Sequence, residues 1–410
     1  MNHAQNRKDP RWRAALTIVI SFGIISMLGD MVHESARSVN GQYLSLIGVT
    51  ATQVGLVFGI GEFLGYALRL LSGSLLDKTG KHWLFMFIGY GLHIVIPFMG
   101  VTQNWNFLLV FILLERIGKA LRSPAKDTIL SGVSENQIGL GYAFGLQEAL
   151  DQLGAFLGPL IFTAVFYFVG DSGLSEFQLG YQLLVIPFLV LMGFLYYVYR
   201  KFTEQDLTPI SKKPDKNEPL QPIFWYYSAF TFFAAFGLVN FGIIGYHLKV
   251  QNVVDDKWIP ILYAGAMAID ALIAILIGKS YDRLKVKTNK KTGGILILLV
   301  IPLFTLLLPT LTLTYSITLL IIGMVLMGII LGAHETVMKS AIADLTPFHK
   351  RGIGYGLFNT FYGLALLAGS SLMGYLYDRN QLMLISILTA VSELIAIGWY
   401  LKLSHTIREN

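Results

Sequence analysis

Ionisable side chains stand inside long apolar runs of this sequence, where only a partner or a task would keep them. In the first run Asp30, Glu34 and Arg37 share a helical face with Gly23 and Ser26, and His33 lies beside them. The second carries Glu62 near its middle and Arg69 two turns further on, along the stripe Gly55, Gly59, Glu62, Tyr66, Arg69, Gly73. The two are too far apart on one helix for an easy pair, so each needs a partner elsewhere. The fourth run places Glu115 and Arg116 centrally and continues with Lys119, Arg122 and Lys126. The fifth aligns Gln147, Asp151, Gly154 and Gly158, with Glu148 and Gln152 alongside. The second half is poorer in charge and offers Asp270, His334, Glu335 and Asn359. Carboxylates held near cations in a low dielectric take up or release protons as their surroundings change, which is the elementary requirement of proton coupling. Asp151 is the expected coupling residue, because it stands one turn before Gly154 and two before Gly158-Pro159, the expected hinge of its run. Arg116 is expected to approach it, and a vestibule filled with water is the plain alternative for Asp30, His33, Glu34 and Arg37.

The elements that position these groups are membrane spans. With 54% apolar and only 14% charged residues, the chain would expose too much apolar surface to water. Twelve apolar stretches of about twenty residues fall at roughly 14–36, 51–74, 83–102, 106–123, 138–168, 179–199, 222–248, 258–278, 293–311, 315–338, 352–376 and 381–402. Most of the 31 Lys and Arg fall on one side of these spans, and Arg37, Lys249, Lys257 and Arg379 fall on the other. The bias puts both termini in the cytoplasm and explains the net charge of +6 by topology, leaving nucleic-acid binding without support. The basic start, Arg7 to Arg13, leads into an apolar run with no small-residue cleavage site, so that run reads as the first span. No cysteine is present, which removes thiol and disulfide chemistry. The polar segment 200–221, with Lys212, Lys213, Pro214, Asp215, Lys216 and Pro219, divides a six-span half at 1–199 from another at 222–410.

An internal repeat supports the two halves. Gly73-Ser74-Leu75-Leu76-Asp77-Lys78-Thr79-Gly80-Lys81 follows the second span, and a degraded copy, Gly278 to Asp282-Arg283, follows the eighth. The pattern G-x-L-x-D-K-x-G-K at this place resembles motif A of the major facilitator superfamily. The resemblance implies an all-α membrane protein of twelve transmembrane helices in two pseudo-symmetric six-helix halves, working by alternating access. Spans 2, 5 and 11 would form the interface between halves, and span 3, with His93, would be peripheral. Gly154, Gly158 and Pro159 resemble motif C, the mark of antiporters, with Ile161 and Phe162 where further glycines stand in the family. Arg116 matches the arginine of motif B, which is thought to adjust the proton affinity of nearby carboxylates; Lys119-Ala120 replaces the family's Gln-Gly. Asp77 is expected to latch the cytoplasmic side closed by accepting from helix N-termini and basic groups.

These readings converge on a secondary active transporter of a small organic molecule, exchanging it for protons as an exporter, in a bacterial inner membrane and as a monomer. Glu62, Glu115 and Asp151 point to a cationic or amphipathic cargo, while uptake of an organic anion or nutrient is the alternative that Arg69 and Arg116 leave open. Divalent-metal efflux through Asp30, His33 and Glu34, joined by His247 or His334, is a further one. No nucleotide-binding motif, resident metal or cofactor is expected, and no compact nucleophile–base constellation suggests an enzyme.

Overall fold

The computed structural model describes residues 10–134, 140–170, 173–202, 220–288, 293–346 and 351–409, and among these it is helical throughout. Ten helical stretches are long and apolar enough to cross a membrane. Two more complete the set in register with the sequence. One is Trp105–Ser134, whose Glu115, Arg116, Lys119, Arg122 and Lys126 lower its hydropathy; the other is the run from Gly293 to Thr312, which is broken into short helices. The segment 203–219, which holds most of the expected linker, lies outside the described residues.

Span 1 is α1 (Pro10–Leu46) and span 2 is α2 (Ala51–Thr79). Span 3 joins α3 (His82–Gly91) to α4 (Val95–Met99) through a 3-10 turn at Leu92–Ile94, and span 4 is α5 (Trp105–Ser134). Span 5 comprises α6 (Leu140–Leu157) and α7 (Pro159–Val169); span 6 comprises α8 (Leu174–Leu183) and α9 (Val185–Phe202). Span 7 is α10 (Pro222–Phe236) and α11 (Phe241–Val250), and span 8 is α12 (Trp258–Thr288). Span 9 ends in α13 (Val300–Thr305) and α14 (Leu308–Thr312). Spans 10 to 12 are α15 (Ile317–Leu345), α16 (Arg351–Asp378) and α17 (Leu382–Glu409).

Two boundaries depart from the sequence reading for physical reasons. Helix α1 continues ten residues past the expected end, through Arg37, Ser38, Asn40 and Gln42. Those polar side chains find partners inside the bundle: the Tyr181 hydroxyl donates to Asn40 Oδ1 at 2.6 Å, Ser38 Oγ donates to the Ser35 carbonyl, and Gln42 Nε2 donates to the Ser38 carbonyl at 3.2 Å. Arg37 therefore lies within the span rather than in a loop beyond it. Span 7, expected to be continuous, opens between Phe236 and Phe241, where Asn240 caps α11 by accepting from the Ile243 amide at 3.0 Å.

The two ends of the bundle differ. At the end away from the termini, called here the far end, helices of the first and last six spans are in intimate contact. A Cβ added at Gly41 of α1 would lie 2.1 Å from the Gly242 carbonyl oxygen of α11, so only glycine admits this approach. Helix α2 packs along α16, and α6 and α7 pack on α12. Toward the termini end a Cβ added at Gly145 of α6 would meet no described atom within 4 Å, and Phe144 is exposed. Gly154 and Gly158, expected as part of a hinge, are also packing residues. A Cβ there would meet the Met27 and Met31 carbonyls of α1 at 2.2 and 2.5 Å, and the helix is interrupted between Leu157 and Pro159.

Candidate functional site: a buried ion network

Helices α1, α2, α3–α4 and α5 bring their ionisable residues to one place. His33 Nδ1 lies 3.0 Å from Glu115 Oε1, and its Nε2 lies 3.6 Å from Glu34 Oε1. Glu34 Oε1 is 3.5 Å from Arg37 Nη1, and Arg37 Nη2 is 3.6 Å from Glu62 Oε1. Arg116 closes the ring, with Nη2 3.2 Å from Glu62 Oε1 and Nε 3.5 Å from Glu115 Oε2. His33, Glu34, Glu115 and Arg116 are all buried. The separation of Glu62 from Arg69 thus resolves through other helices: Glu62 pairs with Arg37 and Arg116. A cavity of about 20 Å³ beside His33, Arg37, Asn40, Phe58, Glu115 and Arg116 has room for about one water molecule.

Span 3 is not peripheral here. Its 3-10 turn holds His93, fully buried, with Nδ1 3.9 Å from Glu115 Oε1 and its ring stacked 6.4 Å from that of His33. Tyr263 of α12 is absent from the sequence reading; its hydroxyl donates to Glu34 Oε2 at 2.5 Å. This hydrogen bond joins the network of the first six spans to the last six.

Asp151 does not join Arg116 in this conformation. Its Oδ2 lies 3.5 Å from Lys126 Nζ, which also donates to Ser26 Oγ at 2.7 Å. Arg116 is ten residues before Lys126 on α5, about 15 Å along the axis, and is held there by Glu62 and Glu115. Glu148 accepts weakly from Gln152 at 3.4 Å, and Lys119 lies within electrostatic reach of Asp30 and Glu34. Between the halves, Arg69 lies over the Tyr66 ring at 5.0 Å and makes no ion pair among the described residues. Tyr66 meets Tyr362 edge-on at 5.0 Å, and the Tyr362 hydroxyl is 3.4 Å from His334 Nδ1. Glu335, next to His334, is exposed.

The repeated motif divides by position. Asp77, Lys78, Gly80 and Lys81 are exposed at the termini end, with Gly80 ending α2 at a φ of 63°. Asp77 makes no ion pair among the described residues, and a Cβ added at Gly73 would meet nothing described closer than Pro124 at 3.9 Å, so the position has room for a side chain. Arg283 is exposed, and the side chain of Asp282 lies outside the described residues. A further copy with the same spacing, Gly374-Tyr375-Leu376-Tyr377-Asp378-Arg379, ends α16 at the far end. Asp378 Oδ1 accepts from the Ala51 amide at 2.9 Å, and Oδ2 accepts from the Thr52 amide at 2.7 Å and hydroxyl at 2.5 Å. It thereby caps α2 from the opposite half. Among the described residues no group of three or more His, Asp and Glu side chains is arranged to hold a metal ion, so the divalent-metal reading finds no support.

Comparison with known proteins agrees with this architecture. The family model described as Major Facilitator Superfamily matches residues 13–315 and 295–410. An uncharacterized protein of Mycobacterium tuberculosis is 33% identical over 391 residues, covering 94% of this chain and 92% of that one. An uncharacterized MFS-type transporter of Methanocaldococcus jannaschii is 30% identical over 393 residues, covering 92% and 94%. The crystal structure of a bacterial homologue of the human lysosomal transporter Spinster, inward-facing and unoccupied, superposes with a TM-score of 0.72 at 15% identity over 98% of each chain.

Proposed function

Because the chain belongs to the major facilitator superfamily, we propose that it is a secondary active transporter exchanging a small organic anion for protons. The termini end is taken as cytoplasmic, from the distribution of Lys and Arg, in the inner membrane of a bacterium. On this reading 1–199 and 222–410 are the moving halves, the segment between them is a cytoplasmic linker, and a monomer suffices for the cycle.

The observation that carries the proposal is the charge inventory of the buried network. Glu34, Glu62 and Glu115 pair with Arg37 and Arg116, and Lys119, within electrostatic reach of Glu34 and Glu62, brings Asp30 with it, so the excess of one carboxylate is unchanged. Three carboxylates against two guanidinium groups are balanced by one proton, and the His33–Glu115–His93 group can hold it. Tyr263 supplies the coupling. A carboxylate accepts its hydrogen bond more strongly than a neutral acid does, so a proton arriving on Glu34 weakens the link that closes the far end. Tyr263→Phe is expected to shift the equilibrium about ten- to a hundredfold towards the state open at the far end, the equivalent of a charged hydrogen bond of about 1.5–3 kcal/mol. An impermeant thiol reagent reports this through a cysteine at Tyr246 of α11, which packs against the cores of both halves at the far end: labelling should speed up in the variant, and an unchanged rate speaks against the link.

The cargo class follows from what the network leaves over. Its acids are already paired, whereas Arg69 faces an aromatic platform without a carboxylate. A cargo carboxylate or phosphate would pair with Arg69 beside Tyr66, Tyr362 and His334. A thermal-shift screen of organic anions and cations on purified protein is expected to yield stabilising anions. Arg69→Gln should weaken the best of them by ten- to a hundredfold, consistent with about 1.5–3 kcal/mol for a charged hydrogen bond, while the unliganded melting temperature holds. Stabilisation by cations alone, undiminished in the variant, contradicts an anionic cargo.

A further inference from the structure

The second half contains a buried acid that the ion network does not use. Glu393 of α17 is fully buried, and among the described residues neither carboxyl oxygen has a hydrogen-bond partner. It is not a misplaced surface residue, since Val391 and Leu394 on the same helix are exposed and face the surroundings while Glu393 faces span 7. Its neighbour there is the break in that span: a Cβ added at Gly237 would lie 2.5 Å from Glu393 Oε1. The two hydroxyls on the same face of α17 spend their protons on backbone carbonyls. Thr389 Oγ1 donates to the Gly237 oxygen at 2.9 Å, and Ser392 Oγ donates to the Phe233 oxygen at 2.7 Å.

An ionised carboxylate without donors carries a heavy desolvation penalty. Among the described residues no cation relieves it. Helices α10, α13 and α14 and the 3-10 turn Gly293–Leu299 contain no charged residue. The side chains of Arg351, Arg408 and Glu409 lie outside the described residues; the titratable groups described on the neighbouring elements are Tyr226 and Tyr227 of α10, Tyr355, Tyr362, Tyr375, Tyr377 and Asp378 of α16, and Tyr400, Lys402 and His405 of α17. None of them hydrogen-bonds to the acid, and none acts on it electrostatically. A proton on the carboxyl is the smallest ligand that satisfies the site.

The site also lies at a place that must move. Helix α10 packs on α17 within its own half, whereas α11 packs across the halves on α1. Opening the far end separates α11 from α1, and the bend in span 7 falls at residues 237–240, against Glu393. We propose that Glu393 is a proton-binding site, a carboxylic acid seated against the break in span 7 and exchanging its proton when that break moves. The link to movement rests on the transport reading above; the bound proton does not.

Infrared spectroscopy of the full chain in lipid tests this without any cargo. The protein at neutral pH should show the carbonyl stretch of a protonated carboxyl in an apolar setting, and Glu393→Gln should remove that band. Glutamine has the shape of the neutral acid, so the variant is expected to keep its melting temperature; Glu393→Leu provides a second variant that also lacks the band. The band should exchange into deuterated water slowly when the far end is closed. A spectrum identical in wild type and both variants, or a carboxylate signal that shifts on adding sodium, overturns the proposal. A protein that keeps the band yet moves cargo regardless of a pH gradient contradicts the transport reading alone.

Discussion

Asp378→Asn should release the far end of the bundle. Asp378 accepts from two amides and a hydroxyl at the start of α2, where the helix dipole adds to the attraction for a negative charge. Asparagine keeps one acceptor oxygen and no charge. Caps of this kind contribute about 0.5–2 kcal/mol, and the charge-assisted bonds bring the expected loss to about 2 kcal/mol, a shift of about thirtyfold in the conformational equilibrium. Spin labels on cysteines at Gln103 and Thr310, exposed positions of the two halves at the far end, read the change directly. The natural absence of cysteine keeps the background clean. Wild type should give one short distance and the variant a second, longer population; an identical distribution counts against a latch at Asp378. Asp77→Asn should leave the short distance in place, because Asp77 is exposed in this conformation. The two motif copies at opposite ends of α2 and α16 would then act in opposite phases of one cycle.

Much of this arrangement was legible in the sequence. Apolar length and the distribution of basic residues give the spans, and helical spacing alone singles out Glu34, Glu62, Glu115 and Arg116, which the fold does bring together. What spacing does not reveal is which helices touch. Asp151 and Arg116 are both central in their sequences, yet antiparallel packing of α5 and α6 sets Lys126 opposite Asp151 instead. His93 and Tyr263 look like ordinary occupants of apolar spans, and only the three-dimensional packing places one beside Glu115 and the other on Glu34. Asp378 did carry a signal, the spacing of Gly374, Asp378 and Arg379, which repeats that of Gly73, Asp77 and Lys78. Glu393 carried one too, a lone carboxylate in an apolar span, but its depth is meaningful only beside the break in span 7, which the smooth hydropathy of that segment conceals.

The largest functional effect is expected at Glu115. It contacts His33, His93 and Arg116, so Glu115→Gln removes the group around which the network's proton is shared. Without that proton the imposed pH gradient no longer drives cargo, so the accumulated concentration ratio should fall to about one. Movement of cargo down its own gradient does not require that proton. The direct measurement uses proteoliposomes and the anion giving the largest thermal shift, with net accumulation under an imposed pH gradient and one-for-one exchange without it recorded in parallel. Wild type should do both, and Glu115→Gln should retain exchange while losing accumulation. A Glu115→Gln protein that still concentrates the anion under the pH gradient would contradict proton coupling through this network.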